Sequence, residues 1–561
     1  MPKGVSTNSD NPVATTTQNT TYRKTIHGWS IRWDDALAKN AYENGYWSQN
    51  TLATALQTDA ENNPNREIII EGNIRLTARS LHEESEQLAK VLANRFAPGS
   101  VISFMLPNWH ETAIIYLAAT YAGLVAHPIL PSLREHDLLF MLSDVNSKML
   151  FIPQQFRNHQ CADMLERVVE KMENPPEVIV VRGDRSQHLA YETLLDQPAA
   201  EDLAAVDAES VRMVMYTSGT TGRPKGVLHT HNSINALIKQ LGDHWLVEPG
   251  DKFLVASPIS HIGGSIYAFE IPILLGASAV LMESWQSDEA VELLLQEGCT
   301  HFAGATPFLT QTLQSAKKVK SHLPDLKVFI CGGASVPPSL IYEASDYFAK
   351  AAVTRAYGST EVPVMSVGVL DTNDVKHAAE TDGKPGLADI ILARPDGEAS
   401  ETGEVIAKGP QMLAGFLHTE DEANAFTTNG YYKTGDLACW QDDSFLVING
   451  RLKDIIIRNG ENIAPKEIED LLVDLPQIKE VAIVGLPDPK TGERACAVIV
   501  AAQGQEPDIN TLVEHLAQLG VAKFKYPERV ELWSALPKND AGKVLKHKIK
   551  EIIEQADKEA S

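Results

Sequence analysis

The segment 216–226 (YTSGTTGRPKG) combines hydroxyl side chains, glycines and one lysine, directly after the apolar stretch 211–215. Glycines let backbone N–H groups turn inward without hindrance from a Cβ atom, hydroxyls add donors, and Lys225 adds a mobile positive charge. This combination is typical of a loop that holds a polyphosphate. It is not a Walker A loop, because Pro224 precedes the lysine and Gly226 follows it.

Four further residues offer chemistry that a nucleotide would use. Glu361 beside Thr360 presents a carboxylate and a hydroxyl, the hard oxygen ligands that suit Mg²⁺. Asp436 can accept both hydroxyls of a ribose, because an ionised carboxylate only accepts hydrogen bonds. Arg451 offers a rigid fork of donors to ribose oxygens or phosphate. Taken singly, each also fits an ordinary turn or a surface ion pair.

The composition indicates a globular protein of more than one domain. Its 561 residues are too many for a single compact core, and 43% of them are hydrophobic. With 49 Lys and Arg against 74 Asp and Glu, the net charge of −25 argues against a general nucleic-acid binder. Five scattered cysteines without CxxC spacing argue against a disulfide framework and structural zinc, so we expect a cytoplasmic protein.

No segment predicts a membrane span or a secretory signal. The longest apolar run, 113–126, has 14 residues, which is too short to cross a bilayer and predicts a buried helix. Residues 1–22 lack an apolar stretch and are rich in Ser, Thr and Asn, so we expect a disordered polar tail instead of a signal peptide.

Short apolar runs alternate with helical patterns over most of the chain, which predicts an α/β fold. We expect a large N-terminal body of several subdomains with mostly parallel sheets at 23–450, a connection at 451–454 and a small α+β domain at 455–561. In such sheets, ligands bind beyond the carboxyl ends of the strands. The predicted strands are 101–106, 148–152, 178–181, 253–257, 279–282 and 328–331 in the body and 481–484, 496–500 and 529–532 after it.

Six motifs resemble, in order along the chain, those of the acyl-adenylate-forming (AMP-binding) superfamily. Within it, the chain resembles the acyl-CoA synthetases of the fatty-acid or alicyclic-acid CoA ligase type. The motifs are 217–225 (TSGTTGRPK), 332–334 (GGA), 357–361 (YGSTE), 432–436 (YKTGD), 450–451 (GR) and 537–543 (PKNDAGK).

The resemblance implies substrates and site residues. It implies that ATP, Mg²⁺ and coenzyme A are used, with Glu361 and Thr360 at the metal and Lys543, Glu361 and His261 in catalysis. The residues that it assigns to ATP or AMP binding are Thr217, Ser218, Gly219, Thr220, Thr221, Gly222, Lys225, Gly333, Ala334, Tyr357, Gly358, Ser359, Thr360, Asp436 and Arg451.

The resemblance also implies a mobile C-terminal domain. Lys543 would reach the cleft between the domains and stabilise the charge that develops on the attacking carboxylate and the α-phosphate. Lys453 and Asp454 would form the hinge, and rotation about it would bring in Gly460, which lines the tunnel for the thiol arm of coenzyme A. His261 would lie beside the acid's carboxylate, with a pocket role favoured over proton transfer.

The acid itself is assigned only to a class. By resemblance, the acyl pocket involves Ile262, Gly263, Gly264, Tyr267, Cys331, Gly332 and Val362. Because Gly263, Gly264 and Ala303 are small, we expect a wide or long pocket. The segments 106–108 (LPN) and 304–307 (GATP) resemble those of bacterial ligases for medium-chain and alicyclic acids, and steroid-derived acids belong to the same range. Aryl-acid ligases of the family often carry an aromatic residue near Gly263, and its absence here argues against a flat benzoate slot.

We therefore expect ATP-dependent adenylation of an apolar carboxylic acid, followed by thioester formation with coenzyme A and release of AMP and pyrophosphate. Two alternatives stay open: an enzyme that charges a carrier protein, and a non-catalytic nucleotide-binding regulator on the same fold. The expected partners are the acid, ATP and coenzyme A, without nucleic acid, and a homodimer is compatible with the sequence.

Overall fold

Two largely parallel sheets, with helices between and outside them, form the body of the protein. The computed structural model describes residues 21–185, 187–218, 223–333, 336–348, 350–539 and 542–560. The predicted tail therefore lies outside the described residues except for Thr21 and Tyr22, which belong to the strand Thr21–Lys24 and pair with the strand Ser30–Trp33.

The first sheet has eight strands and is parallel except at one edge, where its last two pairings are antiparallel. In spatial order its strands are Leu189–Ala190, Glu177–Val181, Met149–Pro153, Val101–Phe104, Val125–Pro128, Val211–Ser218, Pro224–Thr230 and Gly415–Phe416.

The second sheet has seven strands and is parallel except for the hairpin at one edge. In spatial order its strands are Ala352–Ala356, Val328–Gly332, His301–Gly304, Lys252–Val255, Ser278–Leu281, Glu67–Glu71 and Ile74–Thr77.

One apolar core joins the inner faces of both sheets to a layer of helices between them. These helices are Leu52–Asn62, Ala78–Arg95, His110–Tyr121, His231–His244, Ile262–Ser265 and Ile271–Leu274, with a π-helical turn at Ile266–Glu270. The prediction of one buried helix over 113–126 is wrong, because the helix ends at Tyr121 and a strand begins at Val125. Both elements are fully buried, so neither shows the periodicity that would have separated them.

Further helices cover the outer faces of the sheets. Those on the eight-stranded sheet are Glu135–Asp144 and Cys161–Val169, and those on the seven-stranded sheet are Ser287–Gln296, Thr306–Lys318 and Pro338–Tyr347. The shorter elements of the body are the helices Asp35–Glu43, Tyr191–Leu195 and Val375–Glu380, the 3₁₀ turn Thr419–Glu422 and the hairpin of Gln155–Phe156 with His159–Gln160.

A third sheet of the body is antiparallel, which the sequence did not predict. Its four strands are Asp389–Ala393, Thr402–Lys408, Tyr432–Gln441 and Phe445–Arg451. The 3₁₀ turn Leu452–Asp454 follows its last strand and leads into the C-terminal domain.

The C-terminal domain is a small α+β unit with its own apolar core. Its sheet comprises Glu461–Ile463, Ile456–Arg458, Gly492–Ala501, Ile478–Asp488 and Arg529–Leu532, and its helices are Pro465–Leu472, Ile509–Gln518 and Lys546–Ala560, with a 3₁₀ turn at Lys523–Lys525. The predicted fold class, a large α/β body with a small α+β domain, is confirmed. Among the described residues, no helix is both long and apolar enough to span a bilayer.

Candidate active site

The glycine- and hydroxyl-rich segment connects two antiparallel strands of the eight-stranded sheet. Thr217 pairs with Lys225 across this hairpin, and Ser218 pairs with Pro224. The four predicted phosphate-binding residues between the strands lie outside the described residues, as does Ala334 of the predicted adenine loop. These four are Gly219, Thr220, Thr221 and Gly222.

Glu361 lies directly against the end of this hairpin. The hydroxyl of Thr217 donates to Glu361 Oε1 at 3.3 Å, and the backbone N–H of Leu413 donates to the Glu361 carbonyl at 2.7 Å. Burial and the Glu361 carboxylate raise the pKa of Tyr432, whose hydroxyl is hydrogen-bonded to Glu361. The structure thus gathers a carboxylate and two hydroxyls from three separate motifs.

A buried histidine holds the loop that carries Glu361. Burial lowers the pKa of His229 to about 4, so the ring is neutral and its Nε2–H donates to the Thr360 carbonyl at 2.7 Å. The loop is tight: a Cβ atom added at Gly358 would lie 2.3 Å from the backbone nitrogen of Val364. Ser359 closes it, because its N–H donates to the Val362 carbonyl at 3.1 Å. His229 is a positioning residue that the motifs alone did not reveal.

The predicted adenine and ribose residues meet where two parallel strands end. Gly332 pairs with Ala356 at the carboxyl ends of these strands, so Gly333 and Tyr357 follow side by side. The Tyr357 hydroxyl donates to Asp436 Oδ2 at 2.7 Å, and burial beside Asp436 raises the pKa of Tyr357 well above its usual value. This is the edge of the sheet at which the α/β pattern predicted a ligand.

Lys543 reaches the same region from the C-terminal domain. A turn presents it, since the Asn539 side chain accepts from the Lys543 N–H at 2.8 Å and Gly542 adopts a φ of +78° that favours glycine. Burial lowers the pKa of Lys543 to about 8, and the charge of nearby Arg451 acts in the same direction. An added Cβ at Gly542 would lie 3.3 Å from Pro307, so this turn also touches the body.

Lys225 points away from these groups in this structure. Its ammonium donates to the Asp421 carbonyl at 3.3 Å, and Arg223 forms an ion pair with the Asp421 carboxylate at 2.9 Å. Lys225 therefore shares an acidic partner with its neighbour, and a bound polyphosphate would have to compete with Asp421 for it.

His261 begins the helix that carries the predicted acyl pocket. It is the N-cap residue of Ile262–Ser265, and its backbone N–H donates to the Pro258 carbonyl at 3.0 Å. Buried Asn108 fixes the preceding loop: its amide donates to the carbonyls of Val255 and Ser257 at 3.1 and 3.0 Å and accepts from the Ile259 N–H at 3.1 Å. An asparagine directly after a buried strand was the available sequence signal.

Tyr267 occupies the space next to Gly263. An added Cβ at Gly263 would lie 3.9 Å from the Tyr267 ring, which is buried and stacks on Phe253 with centroids 5.8 Å apart. Gly264 has a different explanation, because a Cβ there would lie 2.1 Å from the Pro258 carbonyl oxygen. The Tyr267 ring thus borders the space beside Gly263, where the sequence predicted a wide pocket, and Gly264 serves close packing.

Two residues predicted for the acyl pocket point elsewhere. Along Val328–Gly332, Ile330 belongs to the core that contains Tyr267, whereas the Cys331 side chain belongs to the core on the opposite face. Alternate residues of a strand face opposite sides, so Ile330 faces Tyr267 and Cys331 faces away from it. Likewise, Val362 is buried in the core of the antiparallel sheet, and Val364 packs against the core of Tyr267.

The residues predicted for the hinge lie next to Arg451, and the residue predicted for the coenzyme A tunnel lies at an exposed turn. Lys453 and Asp454 belong to the 3₁₀ turn after Arg451, and their charges act on the pKa of Lys543. Gly460 is exposed at a hairpin turn of the C-terminal sheet, and an added Cβ there would meet nothing within 4 Å.

A second cluster of possible metal ligands lies outside this region. Among the described residues, Glu71, His110 and Glu111 bring their ligand atoms within 4.8 Å of one another. Arg182 already contacts this cluster, at 2.9 Å from Glu71 and 2.6 Å from Glu111. The cluster is an ion-pair network, and Glu361 remains the better place for a cation.

Comparison with known proteins gives two family matches, one for each part of the chain. The model described as "AMP-binding enzyme" matches residues 56–417, and the one described as "AMP-binding enzyme C-terminal domain" matches residues 467–543.

Similar proteins match over nearly their full length. The medium-chain fatty-acid–CoA ligase of Escherichia coli (strain K12) is 31% identical over 524 residues, which cover 91% of this chain and 92% of the relative. The 3-[(3aS,4S,7aS)-7a-methyl-1,5-dioxo-octahydro-1H-inden-4-yl]propanoyl:CoA ligase of Rhodococcus jostii (strain RHA1) is 28% identical over 516 residues, covering 89% of this chain and 98% of the relative. ATP-bound MatB from Rhodopseudomonas palustris matches with a TM-score of 0.80 at 25% identity and covers 90% of this chain and 98% of that chain.

Proposed function

Because the chain belongs to the AMP-binding enzyme family, we propose that it is an AMP-forming ligase that joins an apolar carboxylic acid to coenzyme A. The family model covers more than half of the chain, so the enzyme class predicted from the motifs is confirmed. The acid, the residue roles and the order of steps are our proposal.

One observation carries it: the turn that presents Lys543 touches Pro307 of the body, and Lys543 lies close enough to Arg451 and Asp436 for their charges to act on its pKa. Three motifs from two domains thereby meet at one place. An ammonium in a half-buried cleft has the position and the charge to stabilise an anionic transition state. A regulator without catalysis would have no need of this contact.

In the first half-reaction, an oxygen of the acid's carboxylate attacks the α-phosphorus of ATP. A new P–O bond forms, the bond to the bridging oxygen breaks, and pyrophosphate leaves. Lys543 stabilises the negative charge on the α-phosphate, Asp436 accepts from the ribose, and Tyr357 bounds the adenine. No general base is needed, because the carboxylate is already ionised at pH 7.

The oxygen atoms around Glu361 fit Mg²⁺. Glu361 offers a carboxylate with the Thr217 hydroxyl beside it, and Thr360 directly precedes Glu361 in the chain. Hard oxygen ligands of this kind suit an ion that bridges phosphates and keeps several waters. When bound, the ion would neutralise phosphate charge, and Glu361 and Thr360 would hold it.

In the second half-reaction, the thiolate of coenzyme A attacks the acyl carbon, a C–S bond forms and AMP leaves. Lys543 occupies the cleft in this structure while Gly460 faces solvent. We propose that rotation about Lys453 and Asp454 exchanges the two, so that each half-reaction has its own C-terminal surface.

An apolar acid is favoured by the residues around Tyr267. Ile262, Ala356 and Val364 are partly buried and pack against the core that contains Tyr267 and Ile330. A medium-chain or ring-bearing acid fits such surroundings, and the ligases of Escherichia coli and Rhodococcus jostii are named for a medium-chain acid and a ring-bearing acid, respectively. Steroid-derived acids belong to the same range.

The test is coenzyme A-dependent AMP release across straight-chain acids, benzoates, cyclohexane carboxylates and steroid-derived acids. We expect one apolar class to be preferred, and Lys543→Ala to remove the signal with that class. Charging of an added carrier protein, without activity on free coenzyme A, would favour the carrier alternative. No pyrophosphate exchange with any acid would contradict the proposal.

A further inference from the structure

A buried ion pair joins the strand that leads to Thr217 to the helix that follows His261. Arg212 and Glu270 are each 0% exposed, and their side chains form an ion pair. The Tyr116 hydroxyl donates to Glu270 Oε1 at 2.5 Å and also contacts Arg212. Removing charges from water is costly unless they are paired, so this pair must form for both elements to pack.

Each partner lies at an irregularity of its own element. The register against the strand Pro224–Thr230 shifts between Val211 and Met213, so Arg212 occupies a β-bulge. Glu270 ends the π-helical turn, in which the Ile271 N–H bonds to the Ile266 carbonyl. A bulge re-aims a side chain and a π turn shifts the phase of a helix, and both features are frequent near functional sites.

Stability alone is a poor explanation for the pair. Arg212 Nε and Nη1 and Glu270 Oε2 are buried without a hydrogen-bond partner in the part of the chain that the structure describes. Apolar residues of similar volume often stabilise such a site as well or better, whereas an ion pair fixes one relative geometry. The phenol ring of Tyr116 also stacks on Phe269 at 4.4 Å, which restrains the turn further.

The two elements contribute to the two substrate sites of the proposed reaction, one for the phosphates and one for the acid. The strand of Arg212 continues to Thr217 beside Glu361, and the helix of Glu270 begins at His261 and carries Tyr267. The acid and the nucleotide therefore meet in the right geometry only if strand and helix keep their relative position.

We propose that Arg212 and Glu270 are positioning residues that align the acid-binding helix with the phosphate-binding strand. This inference rests on the proposed function. Neither residue touches a substrate, and the pair acts through the rigid elements that contain it. A displacement of about 1 Å at a reacting group can cost about 10²-fold in rate.

The test is the double variant Arg212→Met/Glu270→Leu, which replaces the pair with apolar side chains of similar size. We expect AMP binding as in the native protein, a fall of about 10- to 10²-fold in kcat/KM for the preferred acid in pyrophosphate exchange, and a changed ratio of kcat/KM between a short and a long acid. A smaller folded fraction lowers the apparent kcat/KM for every acid by the same factor, so it cannot change this ratio.

Leu165→Ala is the matched control, because Leu165 is buried in the outer helix Cys161–Val169. It should lower the thermal midpoint and leave the ratio between the acids unchanged. A native ratio and rate in the double variant would overturn the inference, as would an equal change in the control. If the double variant does not fold, Glu270→Gln, which has the same shape without the charge, must change the ratio relative to the native protein, and a native ratio in this variant would overturn the inference.

Hydrogen exchange separates this inference from the proposed function. If the native protein shows no pyrophosphate exchange with any acid, the proposed function fails. Positioning still requires faster amide exchange in residues 262–274 of the double variant, with exchange in Cys161–Val169 unchanged. Equal exchange in 262–274 would overturn the positioning role.

Discussion

Arg451 Nε lies 2.9 Å from Asp436 Oδ1, which fixes the last residue before the hinge turn to a buried carboxylate. The two residues are paired across neighbouring strands, and Tyr357 donates to the other carboxylate oxygen at 2.7 Å. Asp436 is thus held from both sides, by the body and by the segment that leads to the C-terminal domain. In the proposed function, nucleotide binding and hinge geometry would share this one carboxylate.

Asp436→Ala is expected to weaken AMP binding by about 10- to 10²-fold, because hydrogen bonds to charged groups contribute about 1.5–3 kcal/mol. Calorimetric titration with AMP measures the change. The control is Asp396→Ala, which removes a carboxylate that forms an exposed pair with Arg394 at 3.5 Å. If both variants bind AMP as tightly as the native protein, Asp436 does not hold the ribose.

The rate of adenylation should fall as the pH rises through about 8. Burial and Arg451 lower the pKa of Lys543 to about 8, so the ammonium is mostly charged at pH 7 and loses its charge above pH 8. The pH profile of kcat/KM for pyrophosphate exchange reports this group in the free enzyme.

Lys543→Arg is the control for this pH dependence. A guanidinium stays charged throughout, so the variant should be slower but without the alkaline fall. An alkaline fall at the same pH in the arginine variant would assign the titration to another group.

The alternation of strands and helices predicted much of the fold, and the predicted strand 529–532 is the observed Arg529–Leu532. The predicted strand 328–331 is observed as Val328–Gly332, so Gly333 of the predicted adenine loop follows it directly. It was harder to predict which face of a sheet each strand residue occupies. Cys331 and its neighbour Ile330 are both apolar and buried, so only the packing shows which of them faces Tyr267.

The ion pair of Arg212 and Glu270 could not be predicted from the sequence. Its members are 58 residues apart, and no local pattern connects them. The signal was one charged residue in each of two apolar segments, with opposite signs. Only the three-dimensional structure shows that the bulge and the π turn aim these charges at each other.

Gly460→Leu should leave acyl-adenylate formation intact and impair transfer to coenzyme A. Gly460 has a φ of +83°, so a leucine strains the hairpin turn locally. Gly460 is exposed, however, and among the described residues no atom lies within 4 Å of an added Cβ, so we expect the strain to stay in this turn and Lys543 to keep its place. Pyrophosphate exchange and thioester formation from supplied acyl-adenylate separate the two steps.

Lys543→Ala provides the reciprocal case, with adenylation lost and transfer retained. Equal loss of both half-reactions in either variant would be inconsistent with the domain exchange, and normal transfer by Gly460→Leu would remove Gly460 from the tunnel.

Tyr267→Ala should shift the preference towards longer acids. The Tyr267 ring lies 3.9 Å from a Cβ added at Gly263 and thus bounds the space that the glycine leaves open. Each CH₂ newly buried in that space contributes about 0.8 kcal/mol, or about fourfold in kcat/KM. Tyr267→Phe keeps the ring and should keep the native chain-length profile. An unchanged profile in the alanine variant would place the end of the pocket elsewhere.

Asn108→Ala should impair use of the acid more than use of ATP. Asn108 fixes the loop before His261 through hydrogen bonds to Val255, Ser257 and Ile259, and its removal leaves the buried Ile259 N–H without this acceptor. An unsatisfied buried N–H group costs about 1–3 kcal/mol. The loop is expected to shift so that this N–H reaches another acceptor, which reduces the cost. The moved loop displaces His261 and so raises the KM for the acid, while the KM for ATP stays near its native value. Asn108→Asp keeps the acceptor for Ile259 but sets a carboxylate oxygen against the carbonyls of Val255 and Ser257, which also displaces the loop and should give the same split. A fall in kcat with both KM values unchanged would limit Asn108 to a role in stability.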